Sequence, residues 1–259
     1  MIPIKTEREL VAMRQACSIA RQVLDDVSEF IRPGLRTKEV DEFGAERIRF
    51  YGAKSAFLGY KKYPCHICIS VNDEVVHGIS GERRLEFGDI VSLDVGVYHD
   101  GFVGDNARTV PVGGCRVEAQ KLMDVTEQSL YLGIAQALAG NRVVDISRAI
   151  QQYVEGNGCS IVKEFVGHGV GRAVHEEPQI PNFDDGKRSP KLRAGMTLAI
   201  EPMVNAGMAP VKILNDGWTV LTKDGSLSAH FEHTVLVTDS EPEILTCPAK
   251  TPSGLEAKS

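Results

Sequence analysis

The sequence lacks the features that would direct a protein to nucleic acid, to a membrane or to an oxidising compartment. Lys and Arg number 29 against 35 Asp and Glu, so the net charge of −6 argues against a DNA-binding protein. The apolar runs are short, and the N-terminus MIPIKTERELVAMRQ has no apolar signal segment, so neither a membrane partner nor export is expected. Six cysteines are too few for a disulfide scaffold. We therefore expect a cytoplasmic protein with reduced thiols.

What the sequence does contain is typical of a globular protein with a substantial core. Hydrophobic residues make up 42% and charged residues 25% of 259 residues, which excludes disorder as the main state. In residues 6–31 apolar side chains recur every three or four residues, which predicts a helix. Thr6 and Glu9 have the spacing of a capping box, and Pro33-Gly34 ends the helix.

The same order of elements is predicted twice along the chain. The first half is predicted to contain helices over 6–31 and Thr37–Tyr51, then strands over Cys65–Val71, Ile90–Tyr98 and Phe102–Val112. The second half is predicted to contain helices over Val117–Ala139 and Val144–Glu155, then strands over Ser160–Val166, Thr197–Val204, Thr219–Thr222 and Phe231–Thr238.

This repetition predicts an α/β (α+β) fold in which helices flank a curved antiparallel sheet. The expected organisation is a single domain over 1–259, with pseudo-two-fold symmetry between halves at about 1–112 and 113–245. Residues 248–259 are predicted to be a flexible C-terminal tail.

Two acidic residues lie inside otherwise apolar predicted strands: Asp94 in IVSLDVGV and Glu201 in MTLAIEPMV. A salt bridge or a strand edge facing water would explain either one alone. If Asp100-Gly101 forms a two-residue hairpin turn, however, Asp105 pairs with Gly96 and shares a face with Asp94, at about 7–8 Å between Cα atoms. A divalent metal between the two carboxylates would offset their repulsion.

Three further residues extend this candidate metal site. His168 lies between glycines in VGHGVGR, where a purely structural histidine is the alternative, and Glu232 precedes an apolar strand. Together with Asp94, Asp105 and Glu201 they provide four carboxylates and one imidazole. This set suits Mn²⁺, Fe²⁺, Co²⁺ or Zn²⁺. Four negative charges balance two divalent ions, and such a pair can bridge a hydroxide nucleophile.

Five strings of the sequence resemble the type I methionine aminopeptidases in content, order and spacing: SVNDEVVHGI, SLDVGVYHDGFVGDNART, FVGHGVGRAVHEEP, LRAGMTLAIEPMVNAG and SAHFEHTVLVT. The resemblance covers nearly the whole chain. It implies the pita-bread fold of peptidase family M24 and removal of the initiator methionine from nascent polypeptides when the second residue is small. It also implies that two divalent ions activate the hydroxide that attacks the peptide bond.

The resemblance further implies a role for each site residue. The dinuclear metal ligands would be Asp94, Asp105, His168, Glu201 and Glu232, with Asp105 and Glu232 bridging both ions. Three residues would be catalytic: His77 contacting the substrate, His175 hydrogen-bonding the carbonyl oxygen, and Glu201 shuttling the proton.

The methionine pocket implied by the resemblance consists of Tyr60, Tyr63, Cys68 and Trp218. Two positions depart from the family pattern: Lys62 stands where glycine is usual, and Val174 where some members carry Phe. A monovalent cation near Asn72 and Ser228, a monomeric state and a transient contact with the ribosome are further expectations from the family.

Several residues outside the candidate site have simpler interpretations, and two other functions remain as alternatives. The remaining histidines, His66, His99, His230 and His233, are predicted to lie at the surface or to contact the ligands. The segment Lys187–Arg193 is predicted to be a solvated loop, with a contact to ribosomal RNA as the alternative. The competing functions are an Xaa-Pro aminopeptidase or dipeptidase of the same fold, which needs the same five ligands, and a non-catalytic binding protein.

Overall fold

The computed structural model of the protein describes residues 2–247. The predicted C-terminal tail at 248–259 lies outside these residues. Within them are four α-helices, α1 Glu7–Phe30, α2 Thr37–Phe50, α3 Val117–Ile134 and α4 Val143–Gly156. The strands are β1 Lys54–Ser55, β2 Cys68–Val71, β3 Glu74–Val76, β4 Ile90–His99, β5 Phe102–Pro111, β6 Ser160–Ile161, β7 Gly167–Gly169, β8 Glu176–Ile180, β9 Thr197–Ile200, β10 Met203–Asn205, β11 Val211–Ile213, β12 Val220–Thr222, β13 Ser228–His230, β14 Glu232–Leu236 and β15 Glu243–Ile244.

The helix starts follow local sequence signals. At α1 the Thr6 hydroxyl accepts from the Glu9 amide at 3.3 Å, and the Glu9 carboxylate accepts from the Thr6 amide at 2.8 Å, so the predicted capping box is confirmed.

Helix α3 ends at Ile134, five residues before its predicted end. The chain leaves the helix there because Leu138 forms a parallel bridge with Thr238, whose carbonyl accepts from the Ala139 amide at 3.0 Å.

The strands form a nine-stranded antiparallel sheet and two three-stranded sheets. In the large sheet the order is β1-β4-β5-β14-β9-β7-β8, with β2 paired to β4 and β15 to β14. The β4–β5 hairpin has the predicted register, in which Gly96 pairs with Asp105. Its turn residues Asp100 and Gly101 both have positive φ, at 46° and 81°, as a two-residue hairpin turn requires.

Two predicted strands of the second half are wrong as single elements. The predicted strand over 197–204 is broken at Glu201-Pro202, so that β9 joins the large sheet and β10 a small one. Proline has no N–H to donate to a strand ladder, which accounts for the break. The predicted strand over 160–166 is limited to β6, and the chain forms β7 only afterwards, at Gly167–Gly169.

The helices pack closely on the sheets and bury the strands that carry the candidate ligands. Helix α1 lies against β4 and β5, and α3 contacts β9, β13 and β14. At Gly104 in β5 an added Cβ would lie 2.5 Å from the carbonyl carbon and oxygen of Ala16 in α1, so the close approach of the helix depends on glycine. None of the helices between residues 2 and 247 has the length and apolar content needed to cross a bilayer.

Candidate functional site

One cavity of about 310 Å³ is lined by all eleven catalytic, metal-ligand and methionine-pocket residues proposed from the sequence, but not by Asn72 and Ser228. Its walls include the five candidate ligands Asp94, Asp105, His168, Glu201 and Glu232, and also His77, His175, Tyr60, Tyr63, Cys68 and Trp218. These residues come from distant segments of the chain. Their convergence in one cavity makes it the candidate functional site.

Three adjacent strands of the large sheet, β4, β5 and β14, carry three of the candidate ligands, and β7 carries a fourth. Asp94 in β4 and Glu232 in β14 both pair with Ala107 of β5, from opposite sides. Asp105 lies two residues before Ala107, so the three carboxylates share one face of the sheet. His168 lies on β7, and Glu201 lies in the break after β9.

The carboxylates are buried and close enough to destabilise one another's charge. Burial raises the pKa of Asp94 well above its ordinary 3.8, and the charge of Asp105 raises it further. For the same two reasons, burial first, the pKa of Glu232 lies well above 4.5. Burial also raises the pKa of Asp105, to about 7. A cation in the cavity would favour the ionised form of all three.

The two nitrogens of His168 have different partners. Nδ1 donates to the Gly169 carbonyl at 2.9 Å, and Nε2 lies 3.2 Å from Glu201 Oε1. Burial opposes protonation of this ring, but the hydrogen bond and charge of Glu201 outweigh it and raise its pKa to about 9. A carbonyl on Nδ1 leaves Nε2 to face a metal, the arrangement in which histidine ligands are usually held.

Unpartnered buried atoms show that these residues fit divalent cations. Asp94 Oδ1, Asp105 Oδ1 and Glu232 Oε1 have no hydrogen-bond partner in the described structure. Leaving buried carboxylate oxygens unpaired is costly, whereas a cation would satisfy them. Ligand atoms also cluster within 4.8 Å of one another in two groups that share Glu232: one with Asp105 and His168, the other with Asp94 and His230.

Three other histidines line the cavity, and two of them, His77 and His175, are the predicted catalytic residues. The Nδ1 of His175 lies 2.8 Å from the Tyr60 hydroxyl, and its ring centroid is 4.2 Å from that of His168. Burial, followed by the positive charge of His168, lowers the pKa of His175 to about 4. Burial likewise lowers the pKa of His77 to about 4. Neutral imidazoles at this place can each donate one hydrogen bond to a substrate.

Aromatic rings form the apolar part of the cavity. The rings of Tyr63 and Trp218 meet edge to face at 5.1 Å, and the Tyr63 hydroxyl donates to the Gly78 carbonyl at 2.7 Å. Cys68 is buried and pairs across the sheet with Asp94. Phe165, which the sequence analysis missed, lies 5.4 Å from His77, ring to ring. Its position three residues before His168, in the string FVGH, could have indicated that it lies near the site.

Of the two departures from the family pattern, Val174 lines this cavity, whereas Lys62 is next to a residue that does. Lys62 has φ of 73°, a left-handed conformation that glycine adopts without cost, and neighbouring Lys61, at φ 46°, lines the cavity. Val174 is buried in the cavity wall.

The histidines with simpler interpretations differ in their surroundings. His66 is partly buried, and its Nδ1 lies 3.1 Å from Asp41 Oδ2. His230 is only 2% exposed and belongs to the second ligand group. A surface position for His230 is therefore wrong, and the alternative prediction, a residue that contacts the ligands, matches its place in the structure.

Comparisons with known proteins place the chain close to one group of enzymes. The model of metallopeptidase family M24 matches residues 11–239. The methionine aminopeptidase of Clostridium perfringens is 52% identical over 246 residues, which cover 95% of this chain and 99% of that protein. The crystal structure of methionine aminopeptidase from Rickettsia prowazekii has a TM-score of 0.93 at 39% identity and covers 95% of this chain and 100% of that chain.

Proline-directed enzymes share the fold but are more distant. The Xaa-Pro dipeptidase from Bacillus anthracis has a TM-score of 0.77 at 25% identity, and the match covers 96% of this chain and 63% of that chain. Both the identity and the structural agreement therefore favour the methionine aminopeptidases over the Xaa-Pro alternative.

Proposed function

Because the chain belongs to metallopeptidase family M24 and is a metallo-aminopeptidase that removes N-terminal methionine, we propose that the cavity around Asp105 is its active site. The observation that carries this proposal is the convergence of four carboxylates and one imidazole, with buried oxygens that lack any partner in the described residues. The fold accounts for much of the convergence, since three adjacent strands present Asp94, Asp105 and Glu232 on one face.

The enzyme uses divalent metal, and we propose that two ions, of Co, Mn, Fe or Zn, bind the five ligands. Asp105 and Glu232 would serve both ions, Asp94 would hold one of them, and His168 and Glu201 would hold the other. In support, the two clusters of ligand atoms share Glu232, and one contains Asp94 whereas the other contains His168. When bound, such ions act as Lewis acids and provide an activated water at neutral pH.

The chain's own residues would bind the substrate and move the protons. Neutral His175 would donate from Nε2 to the carbonyl oxygen of the scissile bond, with the Tyr60 hydroxyl donating to its Nδ1. Glu201 would take a proton from the attacking water and deliver it to the leaving amine. His77 would contact the substrate beside the scissile bond from the wall that it shares with Phe165.

The methionine side chain would occupy the apolar part of the cavity. Tyr60, Tyr63, Cys68 and Trp218 line it, and an unbranched thioether packs well against aromatic rings. The ligands and two histidines leave little room around the next residue of the substrate, so that a small second residue is required. The substrates would be nascent polypeptides with this N-terminus.

The remaining proposals concern surroundings rather than chemistry. The protein would act as a monomer in the cytoplasm. The six unpaired cysteines support a reducing compartment. The exposed cations of the 187–193 loop would make a transient contact with the ribosome. A monovalent cation would bind near Asn72 and Ser228, which adjoin because the Ser228 amide donates to the Asn72 carbonyl at 2.9 Å.

A small set of peptides tests the substrate assignment. We expect the metal-loaded protein to cleave Met-Gly- and Met-Ala- well, Leu-Gly- about 10–200-fold less efficiently, and Met-Lys- hardly at all, because apolar pockets discriminate shape by roughly this factor. Ala-Pro- would be cut slowly, since alanine leaves the pocket mostly empty. The measurement is kcat/KM for each peptide by chromatographic detection of the free amino acid.

The outcomes separate the competing functions. Faster cleavage of Ala-Pro- than of Met-Ala- would favour the Xaa-Pro enzymes. If two bound ions were measured but no peptide were cleaved, the non-catalytic binding protein would be the better description. Trp218→Ala serves as a pocket variant: it should reduce kcat/KM for Met-Ala- more than for Ala-Pro-.

A further inference from the structure

The imidazole of His230 occupies a position in the metal cavity that the proposed mechanism does not use. His230 ends β13, two residues before the ligand Glu232, and only 2% of its surface is exposed. Its Nδ1 atom has no hydrogen-bond partner among residues 2–247. A buried ring nitrogen without a partner is costly, so a group absent from the polypeptide would have to satisfy it.

The surroundings of the His230 ring include two of the proposed metal ligands. A ring nitrogen of His230 and carboxylate oxygens of Asp94 and Glu232 lie within 4.8 Å of one another. Asp94 Oδ1 and Glu232 Oε1 also lack hydrogen-bond partners in the described residues. The group therefore offers two carboxylates and one imidazole, which is the same composition as the group of Asp105, His168 and Glu232.

The backbone of His230 is held in place by a side chain from β5. The Thr109 hydroxyl accepts from the His230 amide and donates to its carbonyl, each at 2.9 Å. The Ser92 hydroxyl lies 2.8 Å from that of Thr109 and completes the anchor. A ring carried on an anchored backbone is already positioned before any ion binds, which favours a ligand.

We propose that His230 is a further metal ligand, which supplies an imidazole nitrogen to the ion beside Asp94, as His168 does to the other ion. This inference rests on the two-metal centre proposed above and extends its ligand set to six residues. An added imidazole favours Co²⁺, Fe²⁺ or Zn²⁺, whereas a site of oxygens alone suits Mn²⁺ better. His230 would thus make the two positions alike in their metal preference.

Proton NMR of the Co²⁺-loaded full-length protein in water tests the proposal. A ring N–H of a histidine bound to Co²⁺ gives a strongly shifted signal that disappears in D₂O. With two equivalents of Co²⁺ we expect two such signals, one for His168 and one for His230. His230→Gln should remove one of them. The matched control is His233→Gln, whose ring contacts Thr246 in another cavity, and it should keep both.

Calorimetric titration provides a second readout. His230→Gln should weaken one of the two Co²⁺ affinities by at least about tenfold and leave the other nearly unchanged. The loss for Mn²⁺ should be smaller, because an amide oxygen can replace the imidazole for that ion. His233→Gln should bind both metals as the unsubstituted protein does.

The outcomes distinguish this inference from the proposal on which it rests. A single exchangeable shifted signal in the unsubstituted protein with two Co²⁺ bound would refute the role of His230 and leave the two-metal centre intact. Unchanged Co²⁺ affinities in a folded His230→Gln variant would do the same. Binding of fewer than two ions would overturn the two-metal centre itself. The signal count in the unsubstituted protein decides the matter even if the variant does not fold.

Discussion

At the scale of single residues, Tyr60 has two tasks in the cavity. Its ring lines the proposed methionine pocket, and its hydroxyl lies 2.8 Å from His175 Nδ1. If the hydroxyl donates to Nδ1, the proton of the neutral ring must sit on Nε2, the atom proposed to face the substrate carbonyl. A pocket residue would thereby select the tautomer of a catalytic one.

Tyr60→Phe tests this coupling, because it removes the hydroxyl and keeps the ring. We expect kcat to fall about tenfold with little change in KM, the scale of losing a group that orients another. Steady-state kinetics on Met-Ala- peptides measures both constants. Tyr63→Phe is the control, since its hydroxyl donates to the Gly78 carbonyl and not to a histidine. Equal losses in the two variants, or a change confined to KM, would argue against the coupling.

Lys62 concerns stability rather than chemistry. Its φ of 73° is left-handed, and this conformation destabilises the folded state of a non-glycine residue by about 1–2 kcal/mol. Glycine avoids that cost, but its greater freedom in the unfolded chain lowers stability by about 0.4–1 kcal/mol. Lys62→Gly should therefore raise the free energy of unfolding by roughly 0.5–1 kcal/mol, as measured by urea denaturation. Lys62→Ala keeps the conformational cost and should show no such gain; if both variants were equally stabilised, the lysine charge would be responsible instead.

At the scale of elements, the contact between α1 and β5 positions a proposed metal ligand. Gly104 of β5 lies directly under Ala16 of α1, and the next residue is Asp105. The amide of Asp105 and its carbonyl both contact the Thr234 hydroxyl of β14, at 3.4 and 2.7 Å. A shift of this part of β5 would therefore move the ligand as well as the helix.

Gly104→Ala should disturb both stability and the metal centre. An added methyl group would lie 2.5 Å from backbone atoms that cannot move independently, so we expect a loss of about 1–3 kcal/mol in the free energy of unfolding. Metal affinity should fall too. Chemical denaturation and metal titration measure the two effects.

The control for this substitution is Gly156→Ala, at the end of α4. No atom lies within 4 Å of a Cβ added there, and its backbone is not left-handed, so that change should be neutral or slightly stabilising. If Gly104→Ala were equally neutral, the close approach of α1 to β5 would not limit the fold.

At the scale of the whole molecule, the fold concentrates negative charge at the centre of its largest sheet. Asp94, Asp105 and Glu232 have raised pKa values because they are buried beside one another. Without a cation, the three carboxyl groups would have to be protonated in the folded protein, or their negative charges would repel one another. Metal binding should therefore be coupled to the stability of the entire domain.

Metal removal tests this coupling. At a free metal concentration of 100 times Kd, binding to the native state contributes about 2.7 kcal/mol, which corresponds to a rise in Tm of about 5–10 °C over the chelated protein. Scanning calorimetry with Co²⁺ or Mn²⁺ against a chelator measures it. The double variant Asp94→Asn, Glu232→Gln should lose most of the difference. Identical Tm values for the loaded and chelated protein would contradict a metal site in this cavity.

The local sequence was sufficient for features that depend on neighbouring residues. The capping box at Thr6 and Glu9, and the register that puts Asp105 opposite Gly96, follow from short-range hydrogen bonding and from the two-residue period of a strand. The five family strings identified the candidate ligands and the fold for the same reason, since each string is continuous in the chain.

Contacts between distant segments were decided only by the tertiary structure. The sequence could not show that the Tyr60 hydroxyl reaches His175, 115 positions away, or that His230 lies within the ligand group of Asp94. The strand predicted over 197–204 also failed, because its two parts join different sheets on either side of Pro202. Local patterns determine which residues can form a strand or bind a metal. Which of them meet depends on how the strands pair and pack, and that is a property of the whole folded chain.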